Sequence, residues 1–342
     1  MKRFVASRWF CYAFIIVGLL CGSFGVASSA DKPFYEGKTM VLIVPTNPGG
    51  GFDFYGRIVA KMMEEELPGS TIIVKNVPGA GNIIGINELY RSKPDGLTFA
   101  IVNPGLITAQ LIGEKGINFD LKKASWIGVT GESPYGLYVS AKKYNSLDDI
   151  KKLDPFKVAC GGVGTLSHVI PMMAVKMGVL VNTKLLMGYR GAEPEMAIMQ
   201  GQIDGTWNTW SGTQNFVKEG NGRAVLFIRS KPKGYENVVT IDDLVTEKKD
   251  KSLIDFMEAI ACTLQRGFLA PPDMPPDRLQ TLQQAFKKAV TGPKYEEFMA
   301  KSGSPAGYIS PDKQAQMVNN AFQISAEQVS MIKSIYEEQE KK

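Results

Sequence analysis

Four glycine-containing turns follow predicted strands, and they are the parts of this sequence best suited to binding chemistry. They span residues 48–53, 78–82, 161–167 and 188–192. The first and third lead directly into predicted helices, whose N-terminal N–H groups and dipole favour an anion. One such turn alone is more simply explained by tight strand-to-helix geometry, but four together predict a cleft that binds an anion. Main-chain amides, and not ionised side chains, are expected to hold it.

Five polar or aromatic residues beside these turns are further candidates, each with a structural alternative. Asp53 either caps the first helix or reaches into the cleft. His168 is a candidate general base, but it lacks an identifiable nucleophile, so a ligand hydrogen bond or a structural contact is preferred. Trp207 and Asn208 end a strand and belong either to a core or to the wall of a small-molecule pocket. Arg190 either pairs with a second carboxylate of a ligand or lies in solvent.

Several function classes lack support in the composition and motifs. The chain has one histidine, so no multi-histidine metal site can be built, and no metal or cofactor is predicted. Residues 79–85 loosely resemble a dinucleotide-binding fingerprint, but the next strand ends in Asn103, where that fingerprint needs an acidic residue. No basic cluster with interleaved aromatic residues is present, so nucleic-acid binding is not predicted. Cys160 and Cys262 are either paired or buried as thiols.

The first 30 residues have the layout of a secretory signal peptide. Lys2, Arg3 and Arg8 precede an apolar run over 9–24, and small residues lead to expected cleavage near Ala30. An uncleaved membrane anchor is the alternative, but the run is short for a span, which needs about 20 apolar residues. Loss of the three basic residues lowers the formal net charge from +5 to +2. The mature chain is therefore expected to be exported and soluble.

Strand and helix signals alternate along the chain, which predicts parallel sheets flanked by helices. The same strand, glycine turn and helix order occurs twice, over 40–102 and over 156–208. Because 342 residues exceed what one core usually covers, two lobes of similar α/β design are predicted. The predicted strands are 40–45, 71–77, 97–102, 156–160, 183–187 and 204–208, and the predicted helices are 52–67, 83–91, 167–176 and 194–200.

Two stretches are predicted to link the lobes. Residues 126–139 are typical of extended chain running from one lobe into the other, and residues 259–269 suggest a second crossing. Residues 311–338 are predicted to form one long amphipathic helix that covers a sheet. If that helix packs on the first lobe, this lobe is discontinuous and two strands form a hinge, as in a clamshell.

Six short motifs occur in order along the mature chain. They are PGGGFD at 48–53, NVPGAGN at 76–82, PDGLT at 94–98, GVGTLSH at 162–168, YRG at 189–191 and GQID at 201–204. Together they resemble the substrate-binding proteins of tripartite tricarboxylate transporters, the TctC-like or Bug receptors. The resemblance implies a two-lobed α/β periplasmic-binding-protein fold of type II, the Venus-flytrap fold. Each lobe would be a mixed, mainly parallel sheet flanked by helices, with two hinge strands between the lobes.

The resemblance also implies domain bounds and site residues. Lobe 1 would comprise residues 31–133 and 265–342, and lobe 2 residues 134–264, after the signal peptide 1–30. With Gly164 and Trp207 added from the turns and strand ends above, the candidate ligand-binding residues are Gly50, Gly51, Phe52, Asp53, Ala80, Gly81, Asn82, Asn103, Gly164, Thr165, Ser167, His168, Arg190, Gly191, Trp207 and Asn208. Many family members have a small hydroxyl residue in place of Phe52 and an Asp in place of Asn208. These two departures favour an aromatic or less cationic carboxylate over an amino acid.

The function that the resemblance implies is that of a periplasmic receptor and not of an enzyme. The receptor would capture an organic carboxylate, either a di- or tricarboxylate or an aromatic carboxylate. It would deliver this ligand to a membrane permease with a large and a small subunit, and it would act as a monomer. Three alternatives stay open: a receptor for an ATP-driven importer, a receptor for a sensor partner, and an exported enzyme that uses His168 as a base.

Overall fold

The computed structural model of the protein describes residues 33–161, 165–189 and 191–340, without the side chains of residues 248, 249 and 338–340. The predicted signal segment and the candidates Gly164 and Arg190 lie outside the described residues. The chain from Tyr35 onward forms one compact unit. Its framework is two five-stranded sheets with helices packed against them.

The strands and helices have the following bounds in chain order. The strands are β1 (Thr39–Val44), β2 (Thr71–Asn76), β3 (Thr98–Val102), β4 (Ser125–Val129), β5 (Tyr135–Ser140), β6 (Phe156–Ala159), β7 (Thr183–Leu186), β8 (Gly205–Thr209), β9 (Gly222–Phe227) and β10 (Gly267–Ala270). The helices are α1 (Gly51–Glu66), α2 (Ile83–Arg91), α3 (Gly105–Ile112), α4 (Leu147–Lys151), α5 (Leu166–Lys176), α6 (Glu193–Met199), α7 (Trp210–Lys218), α8 (Ile241–Leu244), α9 (Lys248–Glu258), α10 (Pro276–Thr291), α11 (Pro293–Lys301), α12 (Pro311–Ala321) and α13 (Ala326–Glu340).

The two sheets share one design. The first has the strand order β2-β1-β3-β10-β4, and the second has the order β7-β6-β8-β5-β9. In each sheet one strand runs antiparallel to both of its neighbours, β10 in the first and β5 in the second. Each of them is the first strand of its sheet after the chain has crossed from the other sheet. The prediction of a two-lobed α/β fold with mixed, mainly parallel sheets is confirmed, whereas the lobe bounds stay a prediction.

The two chain crossings lie side by side. The first runs from β4 to β5, and the second includes a π-helical turn over Ala259–Thr263 before β10. The Thr130 N–H donates to the Arg266 carbonyl at 3.1 Å, and the Ser133 N–H donates to the Cys262 carbonyl at 3.2 Å. The crossings are therefore hydrogen-bonded to each other where the two sheets meet.

The elements of the first sheet follow from the apolar pattern of the sequence. Met40, Leu42 and Val44 are buried on β1, which pairs with β2 over its whole length. On α1, Tyr55, Ile58, Val59 and Met63 recur at helical spacing and are buried. Burial of this stripe fixes the helix against the sheet, so the α1 N-terminus lies beyond the carboxyl ends of β1 and β3.

The C-terminal region differs from its prediction, because two helices replace the single helix expected over 311–338. Helix α12 ends at Ala321, and α13 begins after Ser325. The Ser325 hydroxyl accepts the Gln328 N–H at 3.2 Å, and the Gln328 side chain accepts the Ser325 N–H at 2.9 Å. This reciprocal pair is a capping box, which starts a new helix. Helix α12 packs against β4, whereas α13 packs against both α3 and α5.

Gly136 on β5 is expected to be intolerant of a side chain. A Cβ atom there would lie 2.6 Å from a ring carbon of Phe227 and 2.7 Å from the Leu226 carbonyl oxygen. That oxygen belongs to the backbone of the neighbouring strand β9 and cannot move cheaply. We expect Gly136→Ala to lower the free energy of unfolding by about 2 kcal/mol, measured by urea denaturation. Gly50→Ala, where a Cβ meets nothing within 4 Å, is the control, and an equal effect of both substitutions would contradict the prediction.

Two further properties apply to the described residues only. None of their helices combines the length and the hydrophobicity that a membrane span needs. Nor do their His, Cys, Asp and Glu side chains gather into a group that could hold a metal ion.

Candidate functional site

One crevice of ≈ 360 Å³ brings together chain segments from both sheets. The first sheet contributes the N-terminal turn of α1 and the residue after β3, and the second contributes the N-terminal turn of α5 and the end of β8. The lining residues that matter below are Gly51, Phe52, Asn103, Tyr135, Cys160, Thr165, Ser167, Tyr189, Gly191, Trp207, Asn208, Gln265 and Arg266. Two helix N-termini from different sheets therefore open into one space of a size that suits a small molecule.

A second cavity of ≈ 390 Å³ differs from the crevice in its charge. It is bounded by α9, by α12 and by the chain between α12 and α13. The guanidinium of Arg229 lies in its lining. This guanidinium already bonds Asp242 at 3.3 Å and Asp255 at 2.8 Å. The positive charge of Arg229 is thus paired within the protein, and Asp255 and Glu258 also line the second cavity, so the crevice is the better candidate for an anion.

Asp53 fixes the turn that reaches the crevice from the first sheet. Its side chain is buried, and its carboxylate accepts the Gly49 N–H, the Arg57 Nε–H and the Asn76 side-chain amide, each at 2.9 Å. Burial alone would raise the pKa of this carboxyl, but the three donors hold the pKa below its usual value. Asp53 is therefore ionised and positions the turn, and it does not line the crevice.

The turn at 80–82 reaches the crevice through Asn103. The Asn103 side-chain amide donates to the Asn82 side chain at 2.7 Å and accepts the Gly105 N–H at 2.9 Å. Asn82 in turn donates to the Pro45 carbonyl at 2.6 Å. Asn103 lines the crevice, whereas Ala80, Gly81 and Asn82 do not. The turn thus holds Asn103 in place at the end of β3.

Hydroxyl groups organise the side of the crevice formed by the second sheet. Thr165 precedes α5 in extended conformation, and its hydroxyl lies 3.1 Å from that of Ser167. The Ser167 hydroxyl also accepts the Gly161 N–H at 3.1 Å. The first N–H groups of a helix have no partner within the helix, so the start of α5 offers donors beside these hydroxyls.

Aromatic rings form part of the wall. Trp207 is 1% exposed and stacks on Tyr135 with ring centroids 6.3 Å apart. The Tyr135 hydroxyl donates to the Trp207 carbonyl at 3.2 Å. Asn208 also lines the crevice, and its side-chain oxygen accepts the Thr209 N–H at 2.8 Å. Trp207 therefore packs in the hydrophobic core and also lines the crevice.

His168 lies away from the crevice. The ring is fully buried, and it packs edge-on against Tyr336 of α13 with centroids 5.8 Å apart. Burial lowers the pKa of His168 to about 4, because the charged imidazolium loses its hydration. A neutral, buried ring that does not reach the crevice fits a structural contact between α5 and α13.

Arg266 brings an ionised side chain into the crevice, which the sequence analysis did not anticipate. Its guanidinium lies over the rings of Phe52 and Tyr55, 4.7 Å and 4.9 Å from their centroids. Nη1 donates to the carbonyl and to the side-chain oxygen of Gln265 at 3.0 Å and 3.1 Å. The Nε atom is buried and has no hydrogen-bond partner. Burial lowers the pKa of Arg266, and no carboxylate of the described residues forms an ion pair with it.

Comparison with known proteins decides the family. Residues 56–337 match the family described as the tripartite tricarboxylate transporter family receptor, TctC. The chain belongs to the TctC receptor family. BugT of Bordetella pertussis is 23% identical over 323 residues, which cover 90% of this chain and 93% of BugT. The UPF0065 protein in the gbd 5' region of Cupriavidus necator is 26% identical over 348 residues, with 98% and 97% covered.

Solved structures show the same fold as this TctC receptor. A TctC solute-binding protein from Polaromonas aligns with a TM-score of 0.68 at 20% identity, covering 88% of this chain and 98% of that one. MatC from Rhodopseudomonas palustris, solved with bound malate, aligns with a TM-score of 0.64 at 18% identity, covering 87% and 99%. The fold is the two-lobed type II periplasmic-binding-protein fold, and family and fold together indicate a solute-binding receptor rather than an enzyme.

The candidate residues of this TctC receptor divide into three groups. Those lining the crevice are Gly51, Phe52, Asn103, Thr165, Ser167, Gly191, Trp207 and Asn208. Those away from its lining are Gly50, Asp53, Ala80, Gly81, Asn82 and His168. Gly164 and Arg190 lie outside the described residues. Sequence reasoning missed Tyr135, Tyr189, Gln265 and Arg266, and the signal for Arg266 was a charged residue directly before the apolar strand β10.

Cys160 and Cys262 of the TctC receptor are both buried, and they do not form a disulfide. Cys160 lines the crevice, and its Sγ lies 3.8 Å from the Thr165 hydroxyl. Cys262 lies in the π-helical turn of the second crossing, where burial raises the pKa of its thiol. Both residues are therefore buried thiols, the second of the two states considered from the sequence.

Proposed function

We propose that this protein is a periplasmic receptor that captures an organic carboxylate and delivers it to a tripartite tricarboxylate-type permease with a large and a small subunit. The ligand would be a di- or tricarboxylate or an aromatic carboxylate. The receptor would act as a monomer, after removal of residues 1–30 as a signal peptide.

The observation that carries this proposal is the shared crevice between the sheets. The N-terminus of α1 and the N-terminus of α5 both open into it, and each presents N–H donors and the positive end of a helix dipole. No described acidic side chain lines the crevice. Such a site favours an anion, and a small carboxylate matches its donors and its volume.

Two structural relatives support the choice of carboxylates. MatC was solved with malate, and a second Rhodopseudomonas palustris protein, with a TM-score of 0.65 and 17% identity, was solved with adipate. Both ligands are dicarboxylates. Their binding to relatives of the same fold makes the carboxylate class the first to test.

The proposed capture step is closure of two lobes on the ligand. The first lobe would comprise residues 31–133 and 265–342 and the second residues 134–264, so that the hydrogen-bonded crossings act as a hinge. Closure would bring the α1 and α5 N-termini towards the ligand from opposite sides and exclude water, which strengthens charge-assisted hydrogen bonds.

Isothermal titration calorimetry tests the proposed function. We expect at least one member of a panel of dicarboxylates, tricarboxylates and aromatic acids to bind with a Kd in the micromolar range or below, about −8 kcal/mol or stronger. The matched neutral amides should bind at least about tenfold more weakly, because they lack the charge that the helix N-termini favour.

The panel also separates the alternatives. Acidic amino acids are included because a preference for them would favour an amino-acid receptor. Recovery of the bound acid unchanged after prolonged incubation is expected of a receptor, and turnover would instead indicate an enzyme. Absence of binding by every anion in the panel would contradict the proposal.

A further inference from the structure

We propose that Arg266 binds one carboxylate of the ligand and makes the receptor select dicarboxylates over matched monocarboxylates. The inference rests on the function proposed above and assigns a specificity-determining residue to the crevice. It follows from four properties of Arg266: its unused donors, its unpaired charge, its aromatic support and its place beside the α1 N-terminus.

The donors of Arg266 are only partly used within the protein. A guanidinium has five N–H donors, and the two on Nη1 are oriented by the carbonyl and the side-chain oxygen of Gln265. Among the described residues, Nε and Nη2 have no acceptor. The two hydrogen bonds of Nη1 fix the plane of the guanidinium, so Nη2 is the group left open to a ligand, and the buried Nε lies on the same edge and would pair with the ligand when the lobes close. This edge presents two parallel donors, which match the two oxygens of one carboxylate.

The charge of Arg266 is also uncompensated within the described residues. Its guanidinium contacts the rings of Phe52 and Tyr55, and no described carboxylate pairs with it. The other crevice-like cavity shows the contrast, since its Arg229 is bound by Asp242 and Asp255. A partly buried charge without a partner costs free energy, which binding of an anion would recover. Burial lowers the pKa of Arg266, in agreement with such a site.

The rings of Phe52 and Tyr55 contact the Arg266 guanidinium and place it at one end of the crevice. Phe52 lies on α1 and lines the crevice, and Tyr55 lies one turn later with its hydroxyl anchored on the Pro305 carbonyl at 2.9 Å. Gly51 leaves the space that Nη2 needs, because a Cβ at that position would lie 3.0 Å from Nη2. Arg266 and the positive end of α1 thus form one anion-binding end, and the start of α5 forms the other.

Two separated anion-binding ends favour a ligand with two negative charges. One carboxylate would pair with Arg266 beside α1, and the second would accept from the start of α5 near Thr165 and Ser167. A monocarboxylate would fill one end and leave the other without a partner. We therefore expect the number of negative charges on the ligand, as well as its size, to determine how tightly the receptor binds it.

The test uses the full receptor and three probe pairs in isothermal titration calorimetry: adipate, succinate and terephthalate, each beside its monomethyl ester. We expect the wild-type receptor to bind at least one diacid about tenfold or more tightly than its ester, the effect of one charge-assisted pair. Arg266→Gln should lower diacid affinity by about tenfold or more and bring the two affinities of that pair within about twofold. Arg266→Lys should retain only part of the selectivity, because it keeps the charge and loses the paired donors.

The control is Arg223→Gln, which removes one positive charge from an exposed position on β9. It should leave both affinities unchanged.

Retention of the diacid preference by Arg266→Gln would overturn the inference while leaving the proposed function intact. Equal binding of diacid and ester by the wild-type receptor, or binding of monocarboxylates alone, would overturn it as well. Failure of the wild-type receptor to bind any acid would instead overturn the proposed function and the inference with it. If Arg266→Gln does not fold, the wild-type ratio and Arg266→Lys still decide the outcome.

Discussion

Replacing His168 with phenylalanine is expected to remove a pH-dependent loss of stability that we expect of the wild-type receptor between pH 6.5 and about 4. In the unfolded chain this imidazole takes up a proton near pH 6.5, whereas burial lowers the pKa of His168 to about 4 in the folded protein. Between these values the unfolded state binds more protons, so the free energy of unfolding falls as the pH is lowered. Burial of neutral His168 contributes about 3 kcal/mol to the pH dependence of the free energy of unfolding. This stability is fully present above pH 6.5 and is lost by about pH 4.

Phenylalanine suits this test because it keeps an aromatic ring against Tyr336 without a titratable group. Two raised carboxyl pKa values act in the opposite direction. Burial, with Glu258 nearby, raises the pKa of Glu132, and burial, with Glu219 nearby, raises that of Glu195. Their effects are the same in both proteins, so the difference between wild type and variant isolates His168.

Urea denaturation at several pH values between 4 and 6.5 measures this difference. Tyr336→Phe is the control, since it keeps both rings in contact and should retain the wild-type slope. The chain has one histidine, so an NMR titration of tag-free protein reads its pKa directly. A pKa near 6.5, or parallel stability curves for wild type and His168→Phe, would contradict the prediction.

The strand and helix pattern could be predicted from the sequence because local signals and packing agree. Helix α2 has its predicted bounds, and β1, β2 and β6 each end one residue before the predicted end. Glycine turns and apolar periodicity mark these elements without knowledge of the tertiary fold. The mixed order of the sheets could not be read in the same way, because β5 and β10 take their direction from chain crossings.

The break between α12 and α13 shows a local signal that the apolar periodicity hid. A continuous stripe over 311–338 predicted one helix, but Ser325 and Gln328 form a capping box that starts a second. The consequence is tertiary: α13 is free to pack on α3 and α5 instead of following α12 along β4. His168 acquires its contact with Tyr336 from this arrangement.

The site was predicted in part, and the missed part is non-local. Glycine turns at helix N-termini carry a local signature, and Gly51, Thr165 and Ser167 do meet in one crevice. Arg266 follows no glycine motif and lies more than 200 positions after Phe52 in the chain, yet its guanidinium rests on that ring. The pairing of β10 with β3 and β4 places it there. The expectation that main-chain amides hold the ligand took no account of the Arg266 guanidinium in the lining of the crevice.

Replacing Asp53 with alanine is the second substitution from which we expect a large effect. Three donors would lose their acceptor: the Gly49 N–H, the Arg57 guanidinium and the Asn76 side-chain amide. Asp53 is 4% exposed and Asn76 is partly buried, so water replaces the carboxylate poorly for Asn76, whereas the exposed Gly49 can be hydrated. We expect the free energy of unfolding to fall by about 3 kcal/mol.

The same substitution should weaken ligand binding without touching the ligand. Asp53 holds the turn that leads into α1, and Gly51 and Phe52 of that helix line the crevice. A looser turn must be ordered at the cost of binding free energy, so we expect affinity for the best acid of the panel to fall by about tenfold.

The contribution of Asp53 to the free energy of unfolding depends on pH over a different range from that of His168. The three donors lower the pKa of Asp53 in the folded protein, so its stabilisation is present above the unfolded value near 3.8 and is lost as the pH falls below it. This window lies below the range in which His168 titrates. Urea denaturation of Asp53→Ala and wild type should therefore give curves that converge only below about pH 4.

Glu88→Gln is the control for Asp53→Ala, because it breaks the exposed ion pair with Lys75, whose atoms are 2.7 Å apart. Exposed pairs contribute about 0 to 1 kcal/mol, so this variant should keep both stability and ligand affinity close to those of wild type. Asp53→Asn adds a finer test, since it keeps one acceptor oxygen and loses the charge that attracts Arg57. Full affinity in Asp53→Ala despite the expected loss of stability would show that the turn at 48–53 is ordered by other contacts, and the positioning role of Asp53 would then be wrong.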